Sequence, residues 1–442
     1  MRYIKKVSGL ILAALSLTLA GCGMPGFMYD IGYFIDDKVD ELGYILNGNK
    51  LEEFTFEDTE PYVPDEPATI VIEPEVSEQV IKIEDETGED ESVIEFDDEV
   101  LLEQELADDR YYAYGTLTQE ERRIYRQIFA TLRDFAEKTP MSTLDADLID
   151  KVFACVLADN PEFFYVKGYN LIRYERGGVV EKMSVSGLYT MSKDEAIAHQ
   201  EKADAYVDAC LAGAPVTDDD YEKIKYLYEY IIKNTEYDLE AENGQNYLSV
   251  FENGRSVCQG YSTAMQYMML KEGLFCTLVR GVTKSGENHA WNLVKSNGDY
   301  YYVDVTWGDM SYDVKAGDDV ASLPVMPEVS YEYLCVTTDD INLTHRLDTP
   351  FFLPECTCRD DYYYVRKGNY FTEVNEDHLR AVFADAYADG EGMAVIKCSD
   401  AFVFDDMKEF LTRDGRVFDY LNARGNVNYV SLDNLYELVF YI

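Results

Sequence analysis

The sequence contains 442 residues with a formal net charge of -47, and 47% of the residues are hydrophobic. A chain of this length is expected to form two or three domains, and its hydrophobic content is typical of a folded protein. The strong negative charge argues against a nucleic-acid-binding protein, because phosphate binding requires clustered lysine and arginine side chains.

The N-terminus resembles a bacterial lipoprotein signal peptide. Arg2, Lys5 and Lys6 precede the apolar run GLILAALSLTLA, which has the length of a signal-peptide core and is too short for a membrane span. The run ends in LAGC, which resembles a lipobox whose last residue is Cys22. The resemblance implies cleavage before Cys22 and a diacylglycerol anchor on its sulfur. The protein is therefore expected to be extracytoplasmic and anchored to the bacterial cell membrane, with a plain secretory signal as the alternative.

The next part of the sequence is strongly acidic. Residues 51–110 contain 24 Asp or Glu residues against Lys82 and Arg110, and they also contain several prolines. Charge repulsion and proline both extend a chain, so residues 23–108, after the signal peptide of residues 1–22, are predicted to form a solvated tether. Within it, the stretch VIKIEDE has the composition of a strand.

Helix patterns begin after the tether and predict a helical leader region over residues 109–216. The first, TQEERRIYRQIFATLRDF, starts with a capping-box pattern from Thr118 to Glu121. DADLIDKVFACVLADNP and SKDEAIAHQEKADAYVDACLAG predict two more helices, and the second contains His199, which we interpret as an ordinary histidine. The strand-like segment EFFYVKGYNLIRY lies between these two helices.

Residues 217–349 combine helices with an antiparallel sheet. A helix is predicted over YEKIKYLYEYIIKNTEYD, and another begins at Cys258. Three strand-like runs follow, FCTLVRGV, NHAWNLVKSN and DYYYVDVTW, and the last two are joined by the hairpin turn signal Asn297-Gly298. Residues 350–442 alternate strand and helix patterns and predict a small α/β module of unknown role. The expected fold class is α+β.

Cys258 has the sequence context of a nucleophile, although a packing thiol and half of a disulfide are the alternatives. A thiol reacts as thiolate, which is favoured at a helix N-terminus beside an imidazolium. The predicted hairpin brings His289 within a few registers of Asp304, and an aspartate inside so apolar a strand needs a partner. The other cysteines after Cys22 are dispersed, and nothing in the sequence fixes their pairing.

Three segments resemble the motifs of the transglutaminase-like superfamily, which has the papain-like cysteine-protease fold. They are GRSVCQGYSTAMQYM, NHAWNLV and YYYVDVTWGD, and their order and spacing agree with that family. The resemblance implies a helix bearing Cys258 packed on a sheet bearing His289 and Asp304. It further implies that Cys258 is the nucleophile, His289 the general base and acid, and Asp304 the residue that orients His289.

The same resemblance implies an oxyanion hole and an aromatic wall. In the family the hole combines the backbone N–H of the cysteine with an upstream side chain, for which Gln245 and Tyr247 are the candidates. Packing of these two side chains in a loop is the alternative. Tyr261, Trp291 and Trp307 are expected to line the site without reacting.

Metal sites are weakly supported by the sequence, and no cofactor is expected. Cys356 and Cys358 with His345 or His378 would suggest zinc, but a C-x-C pair without a second pair has the wrong spacing for a structural site. The acidic segment GDMSYDVKAGDD lacks the pattern of a calcium loop.

Two functions remain open from the sequence. The first is thiol-mediated acyl transfer at amide bonds of a peptide or protein substrate at the cell envelope, with hydrolysis favoured over cross-linking. The second is a non-catalytic surface module that keeps the fold and binds envelope material or protein. The unbroken set of Cys258, His289 and Asp304 favours the enzyme.

Overall fold

A computed structural model describes residues 71–83, 106, 108–309, 329–390, 392–422 and 427–442. These residues form an α+β fold. The predicted signal peptide, Cys22 and most of the predicted tether lie outside the described residues. Within the described part of the chain, no helix is long and apolar enough to cross a membrane.

Several helices begin where a side chain satisfies free backbone N–H groups. Thr118 and Glu121 form the predicted capping box at the start of the second helix, which confirms that prediction. The three predicted leader helices are present, and a helix does begin at Cys258. The helices are α1 (Tyr112–Thr116), α2 (Gln119–Asp134), α3 (Ala146–Asp159), α4 (Lys193–Leu211), α5 (Asp220–Asn234), α6 (Cys258–Lys271), α7 (Thr338–Ile341), α8 (Tyr363–Lys367), α9 (Glu376–Asp389) and α10 (Ala401–Lys408).

The strands form three four-stranded sheets and one short pair within the described residues. The sheet orders are β1-β3-β4-β2, β10-β7-β8-β9 and β11-β12-β14-β13, and β5 pairs with β6. The strands are β1 (Glu75–Lys82), β2 (Thr139–Pro140), β3 (Val166–Arg176), β4 (Val179–Tyr189), β5 (Glu236–Tyr237), β6 (Arg255–Ser256), β7 (Cys276–Thr283), β8 (Asn288–Ser296), β9 (Asp299–Val303), β10 (His345–Leu347), β11 (Tyr370–Phe371), β12 (Met393–Cys398), β13 (Tyr429–Leu432) and β14 (Glu437–Tyr441).

The leader region contains more strand than the sequence predicted. The predicted strand EFFYVKGYNLIRY corresponds to β3, but β3 also pairs over eleven residues with β4, which the sequence analysis missed. Gly177 and Gly178, with φ angles of 60° and 85°, form the turn between the two strands. A glycine pair that permits positive φ after a strand pattern is a hairpin signal, and here it would have predicted β4.

Part of the predicted tether is a strand. Glu75–Lys82 forms β1, which pairs in parallel with β3 from Glu75 opposite Gly168 to Lys82 opposite Glu175. The prediction of a wholly solvated tether is therefore wrong for this segment, and the strand character of VIKIEDE is confirmed as far as Lys82. The physical reason is that the open edge of β3 offers backbone partners that composition alone cannot reveal.

The second sheet contains the hairpin that the sequence predicted for β8 and β9. Asn297 and Gly298 have φ angles of 50° and 102°, as a tight hairpin turn requires. Helix α6 packs against β7 and β8. Ser262 Oγ donates to the carbonyl of Ala290 at 2.8 Å, which fixes the helix against the strand that begins at Asn288.

The C-terminal residues form a sheet with its own apolar core. Helices α9 and α10 pack against β12. A separate cluster of buried side chains joins this sheet to the second sheet, because Trp291 and Tyr302 share it with Val430 and Val439. The α/β character predicted for this region agrees with the structure, whereas its boundary at residue 350 stays a prediction.

Candidate active site

Cys258 is the first residue of α6. Val257 precedes it as the N-cap in extended conformation, and the Cys258 thiol is fully buried. The helix N-terminus directs partial positive charge at this position, which favours a thiolate. Cys258 is a free cysteine, as are the other seven cysteines in the described part of the chain, so half of a disulfide is excluded there.

Gly260 fixes the start of α6 by close packing. A Cβ atom at Gly260 would lie 2.0 Å from Ser256 Oγ and 2.7 Å from the carbonyl oxygen of Gly244. These distances exclude any side chain without movement of the backbone. The chain itself therefore packs closely against this glycine, and this packing holds Cys258 in a fixed position.

His289 lies on β8 with its ring fully buried. Its Nε2 atom donates to Asp304 Oδ2 at 2.6 Å. Burial alone would lower the pKa of His289, but the charge and hydrogen bond of Asp304, with a smaller contribution from Cys258, raise it to about 10. Because Nε2 is used by Asp304, Nδ1 is the nitrogen that remains for Cys258. The ring is therefore oriented for proton exchange with a sulfur.

Asp304 lies just beyond β9, not inside a strand as the alternation of DYYYVDVTW predicted. Its Oδ1 atom accepts from the backbone N–H groups of Thr306 at 2.9 Å and Trp307 at 3.2 Å, which turns the chain at this residue. Burial would raise the pKa of Asp304, but His289 and His345 hold it well below its usual range. The carboxylate is ionised and acts only as an acceptor.

His345 is a site residue that the sequence analysis considered only as a zinc ligand. It lies on β10, and its Nε2 atom donates to Asp304 Oδ2 at 3.1 Å. Burial and the positive charge of His289 keep the pKa of His345 below its ordinary value, although Asp304 opposes them. A neutral ring that donates from Nε2 must accept at Nδ1, where Thr344 Oγ1 lies at 2.8 Å. Asp304 Oδ2 therefore accepts hydrogen bonds from two imidazole rings, those of His289 and His345.

Two of the three predicted wall residues contact the histidines. The Trp291 and Trp307 rings lie 5.8 Å and 5.7 Å from the His289 ring, and the Trp307 ring lies 4.5 Å from His345. Tyr261 instead lies on α6, where its hydroxyl donates to Asp309 Oδ2 at 2.7 Å. The aromatic rings keep water away from the Asp304 carboxylate and so strengthen its hydrogen bonds.

The two oxyanion candidates have different positions. Gln245 lies beside the site. Its backbone carbonyl accepts a hydrogen bond at 3.0 Å from the side-chain amide of Gln259, the residue after Cys258. Tyr247 does not, since its hydroxyl donates to Gln200 at 2.9 Å within a packed group of aromatic rings. The prediction for Tyr247 is corrected accordingly: its ring contributes to the core.

Tyr237 contacts Cys258, and the sequence analysis did not single it out. Its hydroxyl accepts a hydrogen bond from the backbone N–H of Cys258. Burial, followed by the negative charges of Cys258 and Asp304, raises the pKa of Tyr237, and the hydroxyl is therefore a neutral donor as well as an acceptor. The residue belongs to the segment KNTEYD, but no periodicity distinguishes it there from a packing tyrosine.

The side chains that could together bind a metal ion differ from the set of cysteines and histidines that the sequence suggested for zinc. Among the described residues, His289, Asp304 and His345 form a cluster of three donors. Both Nε2 atoms are engaged with one carboxylate oxygen at 2.6 Å and 3.1 Å, and these distances fit N–H donors. The geometry is that of a hydrogen-bonded cluster. Cys356 and His378 are not part of it, and most of the segment GDMSYDVKAGDD lies outside the described residues.

Comparisons with known proteins agree with this geometry. The family model described as the transglutaminase-like superfamily matches residues 212–305. This chain contains a transglutaminase-like domain. The matched range includes Cys258, His289 and Asp304, whereas His345 lies beyond it.

Two curated relatives match part of this chain. Kyphoscoliosis peptidase from Mus musculus is 30% identical over an alignment of 105 residues, and the match covers 20% of this chain and 16% of that protein. The Homo sapiens protein of the same name is 29% identical over 105 residues, with the same two shares. The chain thus spans a small part of the length of these relatives.

Two solved structures have lower sequence identity to this chain than the curated relatives do. A structure titled as a TGase has 16% identity and a TM-score of 0.25, covering 37% of this chain and 50% of its own. A putative cysteine protease from Cytophaga hutchinsonii has 13% identity and a TM-score of 0.22, covering 28% and 51%. These TM-scores are too low to add to the assignment of the transglutaminase-like domain.

Proposed function

We propose that this protein is an enzyme that cleaves amide bonds of a peptide or protein substrate through a thioester on Cys258. The observation that carries the proposal is the 2.6 Å hydrogen bond from His289 Nε2 to Asp304, which leaves Nδ1 for a thiol at a helix N-terminus. The Cys258 thiolate attacks the carbonyl carbon, and His289 gives its proton to the leaving amine. Water, deprotonated by His289, then attacks the thioester and releases the acid.

We propose that two groups stabilise the oxyanion. The backbone N–H of Cys258 now donates to the Tyr237 hydroxyl. A substrate carbonyl oxygen that replaces the hydroxyl oxygen at this N–H would lie beside Tyr237, which can donate its own proton in turn. We therefore propose Tyr237 as the second oxyanion donor, with Gln245 as the alternative upstream side chain.

Hydrolysis is preferred over cross-linking as the fate of the thioester. The curated relatives of the domain are named as peptidases, and water requires no dedicated acceptor site. The substrate is proposed to lie at the cell envelope, since Cys22 is expected to carry a lipid anchor that holds the protein at the membrane. Casein cleavage without incorporation of monodansylcadaverine would support hydrolysis, and incorporation would support cross-linking.

The second candidate function is a non-catalytic binding module. Full burial of both Cys258 and His289 favours it, because a substrate carbonyl must reach the thiol. The two functions differ in the state of the thiol, which can be measured without knowledge of the substrate.

The test is the rate of Cys258 alkylation by iodoacetamide between pH 5 and 9, followed by mass spectrometry in the full chain and in its His289→Ala variant. We expect rapid labelling at pH 6 that falls by on the order of 100-fold in His289→Ala, because the imidazolium keeps the thiol ionised. Cys358, which is partly exposed, is the internal reference. Slow labelling in both proteins that rises only near pH 8.5, the ordinary thiol value, would support the binding module.

His345 should act on the reaction through Asp304. The wild-type turnover should be lost as pH rises through about 10, where His289 loses its proton. In His345→Leu, Asp304 loses a competing donor, so the pKa of His289 and this alkaline limit should both rise. The turnover number should also fall by about tenfold, because the carboxylate is less firmly oriented.

The conservative variant distinguishes this role from packing. His345→Gln keeps an N–H donor and should return the alkaline limit toward the wild-type value. An alkaline limit that stays at the wild-type pH in His345→Leu would show that His345 only fills space between Trp307 and the sheet.

A further inference from the structure

Arg280 places a positive charge near the thiol. Its side chain on β7 is 20% exposed, and Nη2 donates to Gln259 Oε1 at 2.8 Å. Gln259 directly follows Cys258 in α6. Burial lowers the pKa of Arg280, whereas the negative charges of Glu73 and Cys258 oppose this effect. We refer to Gln245, Gln259 and Arg280, which are joined by hydrogen bonds, as the Arg280 site.

The carboxylate at the Arg280 site belongs to the acidic N-terminal part of the chain. Glu73 Oε2 lies 3.4 Å from Arg280 Nη1, and the Glu73 side chain is still 70% exposed. One residue earlier, the backbone N–H of Ile72 donates to Gln245 Oε1 at 2.9 Å. Within the described residues, Glu73 is the acidic side chain paired with Arg280. The site thus binds one backbone N–H and one carboxylate of an extended segment.

The segment after Glu73 is attached in the manner of a bound peptide. All eight residues of β1 are exposed, so the strand is held by its backbone pairing with β3 and not by burial. Its side-chain contacts are surface ion pairs, such as Arg173 with Glu78 at 3.0 Å. Exposed pairs contribute little stability, and strand addition to a sheet edge is a common mode of peptide recognition. Another acidic, extended peptide would offer the same interactions.

We propose that the Arg280 site binds an acidic, extended peptide as the acyl donor for Cys258, and that Ile72 and Glu73 fill this site in cis. The proposal rests on the proposed function and adds its substrate class. The resident segment competes with substrate, so that the apparent affinity for a peptide is reduced by the fraction of time that the site is filled.

The test uses the full chain and a variant in which the site is opened. Ile72→Pro removes the N–H that donates to Gln245, and Glu73→Gln removes the charge while keeping the shape. The probe is a fluorescein-labelled peptide, ATIVIEPEVSEQVIK, which reproduces residues 68–82, and binding is followed by fluorescence anisotropy. We expect the double variant to bind the peptide about tenfold more tightly than the unmodified chain.

Two controls make the result specific. Adding Arg280→Gln to the opened variant should abolish peptide binding. Glu181→Gln removes an exposed ion pair with Arg176 on the sheet that contains β1, and it should leave peptide binding unchanged. Glu73→Arg, at a 70% exposed position, opens the site by repulsion if the proline variant fails to fold.

Equal peptide affinity in the unmodified and opened chains would overturn the proposal. Peptide binding that is unchanged by Arg280→Gln would also overturn it. The anisotropy measurement is repeated with Cys258→Ala, so it does not depend on a reactive thiol. Peptide binding together with slow iodoacetamide labelling of Cys258 in the wild-type chain would contradict the proposed reaction and still support the peptide site. A reactive Cys258 without peptide binding would leave the reaction in place and reject the site.

Discussion

Asp304→Asn should slow the alkylation of Cys258 at pH 6 by on the order of 100- to 1,000-fold. The Asp304 carboxylate is the main group that raises the pKa of His289, to about 10. Without it, burial would favour the neutral imidazole, and the thiol would lose the cation that keeps it ionised. A thiol with a pKa near 8.5 is ionised to well under one part in a hundred at pH 6. The measurement is the second-order rate constant for iodoacetamide.

A second buried carboxylate provides the matched control for Asp304→Asn. Asp159 is also fully buried and accepts from the backbone N–H groups of Ala113 and Tyr114 at 2.8 Å and 2.9 Å. Asp159→Asn should lower stability without changing the alkylation rate. Equal rates in wild type and Asp304→Asn, with both proteins folded, would contradict the ion-pair mechanism.

Lys397→Met should lower the free energy of unfolding by about 3–5 kcal/mol, as expected when one partner of a buried ion pair is removed. The Lys397 ammonium group on β12 donates to Glu332 and to the carbonyl of Leu435, and both charged side chains are less than a tenth exposed. Without Lys397, the Glu332 carboxylate would be buried beside Glu437 with no positive charge. Urea unfolding followed by circular dichroism measures the loss.

The exposed pair on the same domain is the control for Lys397→Met. Lys408 lies 3.1 Å from Asp433 at the surface, and Lys408→Met should change stability by no more than about 1 kcal/mol. Adding Glu332→Gln to Lys397→Met should recover part of the loss, because the uncompensated charge is removed. Similar losses for Lys397→Met and Lys408→Met would show that burial of the pair is not decisive.

Local signals predicted the parts of the site that depend on short-range structure. The turn at Asn297-Gly298 follows from turn chemistry, and the hairpin alone brings His289 toward Asp304. The helix that begins at Cys258 was also predicted, although its N-cap Val257 makes no side-chain hydrogen bond. The exact place of Asp304 was missed, because its own carboxylate accepts from two backbone N–H groups and ends the strand. Strand alternation does not include such competition from a side chain.

Contacts between distant parts of the chain could not be predicted. His345 is 41 residues from Asp304 and reaches it because β10 pairs with the far edge of β7. No pattern in the three-residue strand β10 indicates that pairing. The attachment of β1 to β3 likewise depends on an edge that only the assembled sheet exposes. Tyr247 was assigned by its position before Cys258, but side-chain direction is decided by packing.

The second and third sheets share an apolar cluster, and we therefore expect these two regions to unfold together. Trp291 and Tyr302 come from the sheet that carries His289, and Val430 and Val439 come from the C-terminal sheet. Removing residues 350–442 would expose aromatic surface behind the active site and invite aggregation. Substitutions on the inner face of the C-terminal region should therefore disturb the sheet that carries His289, whereas substitutions on its outer face should not. The C-terminal region thus supports the candidate active site from behind, through the buried side chains that it packs against the sheet of His289.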